Sequence, residues 1–383
     1  MKLLIITHKE TWRKKTSIYT TGGFPFQINA LSQLFDSTSL LCSNRRKESP
    51  PNLTLIKGKD LSIHPLQEPP LNRIFRQFSY SIWLLIYSST LWKSIKSADA
   101  VHAMIPGDIG LTGLLMTFIA KKPLFVRHCG TWGNTTTFAD RFIYWLLPRI
   151  AYGKNNIMAT GGSDLAPEPS NPNIKWIYST SMSADEWEKI PISTPWNKEG
   201  SLKLIFVGRL SIGKNIVSII QAIPIIKKSF SIQIDIVGDG EEINHLRELV
   251  DTKRLQECVT FHGNCSHEDV LKRLSNNHIF IFPTNTKEGF PKALLEAMAC
   301  GLPSIATRVS VIPSLIENKC GLMLDKTGPN SIANAVIKMA SDPATMNEMG
   351  KRARKISQKY TLENWANIIG HRLRKKWGPL KLN

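Results

Sequence analysis

Short β-branched runs alternate with helical stretches along this chain, which restricts it to βαβ units wound around parallel sheets. In the second half, Leu202–Val207, Ile232–Val237, Val259–Phe261, Ile279–Phe282 and Pro303–Ala306 read as strands. Asn215–Ile226, Glu242–Thr252, His267–Ser275 and Pro291–Cys300 read as the helices between them. In the first half, Lys2–Thr7, Ala100–Ala103 and Leu124–His128 read as strands and Phe26–Leu34 as a helix. A chain of 383 residues is too long for one ordinary domain of this kind and suits two. The predicted class is therefore α/β, with two Rossmann-like doubly wound domains. Such sheets bind ligands outside the carboxyl ends of their strands, so a cleft between the two domains is the expected site. Pro191 and Pro195 lie in the polar stretch Ser183–Gly200, where the composition shifts. This predicts an N-terminal domain over 1–185, a linker over 186–200 and a second domain over 201–360. Residues 361–383 then read as a terminal helix returning toward the first domain.

Apolar residues make up 42% of the chain and charged residues 21%, as in folded globular proteins. The net charge of +19 is large and points to an anionic partner, whether a phosphorylated ligand, an acidic membrane face or nucleic acid. Six cysteines stand at 42, 129, 258, 265, 300 and 320. None forms a C-x-x-C and none lies at zinc-finger spacing with histidine, so no structural metal is expected. Scattered thiols fit a reducing cytoplasm. Met1–His8 reads as a first strand, not as a signal peptide, and no apolar run reaches the length that spans a bilayer.

Three segments carry chemistry. The strand Leu202–Val207 runs into Gly208-Arg209-Leu210-Ser211-Ile212-Gly213-Lys214, which places backbone N–H groups and two cations where an anion can sit. It is not a Walker A loop. The next strand ends in Val237-Gly238-Asp239-Gly240-Glu241, where the glycines read first as tight-turn residues. The densest segment is Glu288-Gly289-Phe290-Pro291-Lys292-Ala293-Leu294-Leu295-Glu296-Ala297-Met298-Ala299-Cys300-Gly301-Leu302-Pro303. Pro291 suits a first helical position and Gly301 a helix stop, so Glu288 falls on the preceding loop. Glu296 falls within an otherwise apolar helix and must face water, a partner or a ligand. As a fully helical pair the two carboxylates would stand roughly 12 Å apart at about 1.5 Å per residue. A glycosidase needs about 5–9.5 Å between its carboxyl groups, which weighs against hydrolysis without excluding it.

Taken in order, G-R-L-x-x-x-K, V-G-D-G-E and the E-x7-E of Glu288 and Glu296 resemble the donor domain of the retaining family 4 glycosyltransferases of GT-B fold. The resemblance is dense from Leu202 to Leu324 and thin before it. It implies transfer of a sugar from a nucleotide-diphosphate donor to a glycan or lipid-linked acceptor, in cell-surface polysaccharide or lipopolysaccharide synthesis. It implies that Arg209 and Lys214 neutralise the leaving diphosphate beside Gly208, and that Glu296 binds ribose hydroxyls. Glu288, with the amides at Gly289 and Phe290, would hold the donor sugar. Gly22 and Gly23 would let the backbone approach the diphosphate and acceptor, and His128 resembles the family's cleft histidine near the donor sugar. No cofactor or metal is implied, since Arg and Lys serve the diphosphate. The chain departs from the family at Trp176–Met182, at Ser310 and Val311 in place of two glycines, and at Ser314 in place of an acid. These changes bear on sugar identity and linker geometry.

Residues 71–96 mix Phe75, Phe78, Trp83, Tyr87 and Trp92 with Arg73, Arg76, Lys93 and Lys96. Such a helix either covers the sheet with its apolar face or lies in an anionic lipid interface. The expected location is the cytoplasm, peripheral at the inner membrane face. Two further readings compete: a nucleotide-sugar epimerase on the same fold, and a basic nucleic-acid-binding protein. The first needs acid and base residues that the sequence does not locate, and the second needs a localised basic-aromatic surface. A nucleic-acid partner is not expected.

Overall fold

The computed structural model describes residues 1–44, 49–50, 53–68, 76–130, 132–133, 136–160, 171–286, 289–316 and 319–380, with the backbone alone for 76–78. These form two packed units. One comprises the described residues of 1–160, 171–181 and 362–380, and the other 182–286, 289–316 and 319–361.

The first unit contains β1 (Lys2–Lys14), β2 (Ser17–Thr20), β3 (Ser37–Asn44), β4 (Thr54–Leu55), β5 (Leu61–Gln67), β6 (Ala100–Ile105), β7 (Leu124–His128), β8 (Asn156–Ala159) and β9 (Ile174–Trp176). Its parallel strands run in the order β5-β3-β1-β6-β7-β8-β9. Strand β1 continues past the sheet into an antiparallel hairpin with β2, and β4 pairs on β2. Helices α1 (Phe24–Ser32), α2 (Arg76–Ser97), α3 (Asp108–Ile119) and α4 (Phe138–Ile150) belong to this unit. Strand β6 is buried along its whole length, as expected where both faces of a parallel sheet are covered.

Helix α2 uses its aromatic residues mainly for packing. Trp83 is buried, stacks on Tyr80 at 5.8 Å and donates its indole N–H to the Gln67 carbonyl at 2.6 Å. Ile82, Leu85 and Ile86 remain exposed on the same helix. Among the described residues no helix is long and apolar enough to cross a membrane. Residues 71–75 of the basic aromatic stretch lie outside the described residues. Helix α4 opens with a capping box in which Thr137 Oγ1 accepts from the Asp140 N–H at 3.1 Å. Thr137→Ala is expected to cost about 1 kcal/mol, read as a lower denaturant midpoint with an unchanged slope.

The second unit holds β10 (Leu202–Val207), β11 (Ile232–Val237), β12 (Val259–Gly263), β13 (Ile279–Phe282), β14 (Ser304–Thr307) and β15 (Gly321–Leu324), all parallel in the order β12-β11-β10-β13-β14-β15. Its helices are α5 (Ala184–Lys189), α6 (Ile216–Ile226), α7 (Ile243–Thr252), α8 (His267–Ser275), α9 (Lys292–Ala299), α10 (Ile312–Ile316), α11 (Pro329–Ser341) and α12 (Pro343–Ser357). Leu204, Ile205, Phe206, Phe280 and Ile281 fill the core between the helical layers.

The segment 186–200 packs against the second unit. Ile190 and Trp196 are buried in the second unit's core, and Trp196 donates its indole N–H to the Ala340 carbonyl at 3.1 Å. Arg354 fastens the same stretch, donating to the Trp187 and Ile190 carbonyls at 3.3 Å each and to that of Ala299. Polar neighbours and two prolines mask those large apolar anchors in the sequence. The last helix, α13 (Leu362–Trp377), belongs to the first unit. Trp365, Ile369 and Leu373 are its buried face, and Trp377 donates its indole N–H to the Lys154 carbonyl at 2.6 Å.

Candidate functional site

In the second unit the strand order reverses between β10 and its neighbour β13, and loops after such a switch point frame a ligand crevice. The loop after β10 carries Gly208, Arg209 and Lys214. The loop after β13 begins the E-x7-E segment. These two loops are laced together. Gly213 accepts the Asn285 N–H at 2.8 Å and the Thr284 hydroxyl at 3.3 Å. A Cβ at Gly213 would lie 2.2 Å from the Thr286 methyl, so a larger residue would have to displace that side chain. Asn215 closes the turn in the left-handed region at φ 56°, and its side chain donates to the Thr327 carbonyl at 2.7 Å. Lys214 is thereby fixed, with its Nζ 4.9 Å from the Phe282 ring centre. Arg209 is exposed and makes no ion pair among the described residues.

The glycines of the second motif are structural. Gly238 has φ 130°, and a Cβ there would stand 1.9 Å from the Gly208 carbonyl oxygen. The turns after β10 and β11 lie against each other, with the Gly208 N–H donating to the Val237 carbonyl at 3.0 Å and the Leu210 N–H to that of Asp239 at 2.9 Å. A cavity of about 440 Å³ opens beside them, lined in part by Gly208, Arg209, Asp239 and Asn264.

Helix α9 begins at Lys292, one residue later than its sequence suggests, with Pro291 as the N-cap. It ends in a Schellman turn: the Leu302 N–H donates to the Ala297 carbonyl and the Gly301 N–H to that of Met298, both at 3.0 Å, with Gly301 at φ 75°. Glu296 projects from its middle with 17% of the side chain exposed. Burial pushes its carboxyl above the usual range, while His267 and Lys292 oppose that rise. His267 Nδ1 lies 3.6 Å from Glu296 Oε1, and His267 Nε2 lies 2.6 Å from Glu186 Oε1. Beside Gly289 there is open space, and the Phe290 ring packs against Tyr360 at 5.8 Å. Glu288 lies, with Lys287, outside the described residues.

The remaining candidates belong to the first unit. Gly22 adopts φ 75° with open space beside its Cα, and Gly23 is the N-cap of α1. Helix α1 is held by Gln27, whose side chain donates to the Thr180 carbonyl at 2.8 Å and to Ser179 Oγ at 3.0 Å. His128 ends β7, buried and edge-on to Trp132 at 5.4 Å. Its Nδ1 is buried and has no hydrogen-bond partner among the described residues. Burial lowers its pKa, which favours the neutral ring. His102, by contrast, is a core residue stacked on Phe125 at 4.1 Å, its pKa brought down to about 3 by burial and by Arg127. Among the described residues no group of three or more His, Cys, Asp or Glu side chains is placed to hold a metal ion.

Sequence reasoning missed Glu186, His267, Thr284, Thr286 and Asn215. Ser183-x-x-Glu186 and Ser266-x-x-Asp269 announce the helices that carry the first two, and both caps form. Nothing local announces that Glu186 and His267, 81 positions apart, meet.

Residues 189–356 match the family model described as glycosyl transferases group 1. The N-acetyl-alpha-D-glucosaminyl L-malate synthase of Bacillus anthracis is 30% identical over 152 residues, 39% of each chain. The capsular polysaccharide biosynthesis glycosyltransferase CapM of Staphylococcus aureus is 25% identical over 268 residues, 64% of this chain and 68% of that one. The aligned part therefore spans about two fifths of the first relative. The structure of Anabaena Alr3699/HepE in complex with UDP superposes with a TM-score of 0.71 at 15% identity, covering 98% of this chain and 100% of that one. The likeness shows a shared GT-B fold, as the sequence predicts.

Proposed function

From the match of residues 189–356 to the model described as glycosyl transferases group 1, we propose that this chain transfers a sugar, with retention, from a nucleoside diphosphate donor to a glycan or lipid-linked acceptor. The observation that carries the reading is the laced pair of loops at the switch point of the second unit. They present Arg209 at a cavity of about 440 Å³ and hold Lys214 in the turn that follows, at the same end of the sheet as the segment that leads to Glu296. Diphosphate is the ligand those cations suit, and ribose hydroxyls suit a half-buried carboxylate.

In this reading the bond from the anomeric carbon to the diphosphate oxygen breaks while the acceptor oxygen bonds to that carbon on the same face. The acceptor proton passes to the leaving phosphate. Arg209 and Lys214 stabilise the charge that develops there, and the amides near Gly289 and Phe290, with Glu288, hold the sugar. His128, held neutral by burial at the end of β7, is assigned to a sugar hydroxyl. Arg and Lys do the work a metal would do, so the step as written uses none. The relatives' names support a role in cell-surface polysaccharide synthesis. Exposed Ile82, Leu85 and Ile86, on the same helix as Lys93 and Lys96, support peripheral contact with an anionic membrane face.

The test is a donor screen that measures nucleoside diphosphate release with wild type and Glu296→Ala. Release by the wild type and donor affinity about ten- to a hundredfold weaker in the variant are expected, since charge-assisted bonds are worth about 1.5–3 kcal/mol each. Equal release from both proteins, or none with any donor, would sink the proposal.

A further inference from the structure

We propose that His267 is a positioning residue for Glu296: anchored by Glu186, its imidazolium holds the Glu296 carboxylate ionised and oriented for the donor ribose. This rests on the reading of Glu296 as the ribose ligand, and it adds a pH dependence to donor binding. Both ring nitrogens of His267 face carboxylate oxygens, Nε2 at 2.6 Å from Glu186 Oε1 and Nδ1 at 3.6 Å from Glu296 Oε1. A neutral imidazole can donate from only one nitrogen, whereas the imidazolium donates from both. The arrangement is therefore complementary to the charged ring.

Each partner is held from outside. Glu186 Oε2 accepts the Ser183 N–H at 3.4 Å in the capping box of α5, which leaves Oε1 for the histidine. His267 is the first residue of α8, capped by Ser266, whose Oγ accepts the Asp269 N–H at 3.2 Å. Glu296 stands in the middle of α9, where the Schellman turn fixes the helix end. Three helices thus converge on one imidazole.

The charges facing His267 are Glu186 on α5 and both Glu296 and Lys292 on α9, with Glu268 and Asp269 following it on its own helix. Glu186 contributes most to raising the histidine's pKa, while burial and, less, Lys292 oppose. Cys300 also neighbours Glu296 but is a neutral thiol, pushed up to about 12 chiefly by burial. The sign follows from these directions. Donor binding is fullest below the raised His267 pKa and weakens as pH rises through it. It weakens again at acid pH as the buried Glu296 takes up a proton.

The test is calorimetric titration of full-length wild type, His267→Gln, Glu186→Gln and Glu296→Ala with UDP, GDP and ADP, from mildly acid to mildly alkaline pH. The 2′,3′-dideoxy form of the nucleotide bound best serves as control. Wild-type affinity is expected to fall about tenfold on the alkaline side, the worth of one charge-assisted bond. His267→Gln should be weaker by a similar factor at neutral pH and lack that alkaline limb. In Glu186→Gln the limb should move to lower pH. The dideoxy nucleotide should show neither effect, which a merely structural role for His267 would not produce. Glutamine variants that keep the wild-type affinity and pH profile, while Glu296→Ala weakens binding, would overturn this inference alone. Failure of all three nucleotides to bind the wild type, or undiminished binding by Glu296→Ala, would overturn the reading of Glu296 with it. Should His267→Gln not fold, the limb shift in Glu186→Gln decides the matter.

Discussion

Alanine at Lys214 is expected to lower kcat for sugar transfer by about a hundred- to a thousandfold, the range seen when one preorganised donor to a developing oxyanion is removed. The expectation rests on how little freedom this side chain has. Its turn is bonded to the loop after β13 through Gly213, closed by Asn215, and its ammonium lies 4.9 Å from the Phe282 ring centre. A cation fixed before the reaction need not reorganise when charge builds on the leaving phosphate, so the loss falls on kcat more than on KM. Arg209→Ala should cost less, because an exposed guanidinium is screened and mobile. Lys214→Arg should not restore the rate, since a planar fork cannot replace a compact ammonium in a packed turn. Single-turnover release of nucleoside diphosphate at saturating donor measures the effect. A raised KM with unchanged kcat would place Lys214 in ground-state binding only.

How much of this was legible depended on whether the deciding contact was local. Strands β7, β10, β11 and β13 and helices α8 and α13 stand at the residues the sequence suggests, because each is an apolar run or stripe bounded by turn or capping residues. Strand β1 was read too short. Lys9, Glu10, Arg13 and Lys14 interrupt the apolar run, yet the backbone stays extended because the hairpin with β2 gives it partners. Strand β5 gave no signal, since Pro65 and polar neighbours argue against a strand. It lies at the sheet edge, pairing with β3 alone among the described residues, where a missing N–H is tolerated. The loop after β10 was legible as a motif, while its lacing to Thr284 and Asn285 was not, nor was the meeting of Glu186 with His267. Such contacts are made by the tertiary fold and leave no spacing behind. The anchoring of the 186–200 segment has the same origin, because only the folded core reveals where Trp196 goes.

The largest stability effect expected from a small change is at Gly238. Gly238→Ala places a methyl 1.9 Å from the Gly208 carbonyl oxygen at a residue whose φ is 130°. Backbone strain in that region costs about 1–3 kcal/mol, and forcing a carbon into a packed contact costs about 1–3 kcal/mol more. The two add, because moving the turn to relieve the contact does not change the sign of φ. A loss of about 2–6 kcal/mol is therefore expected, a large fraction of an ordinary domain's stability. The site cannot stay untouched, since the atom that must move belongs to the residue before Arg209. Gly289→Ala is the natural comparison: an added Cβ meets nothing within 4 Å. Thermal unfolding of the full chain should show a clear drop for Gly238→Ala and almost none for Gly289→Ala. Equal melting temperatures would mean that the turns after β10 and β11 can separate freely. In that case the fixed geometry on which the roles of Arg209 and Lys214 depend would not exist.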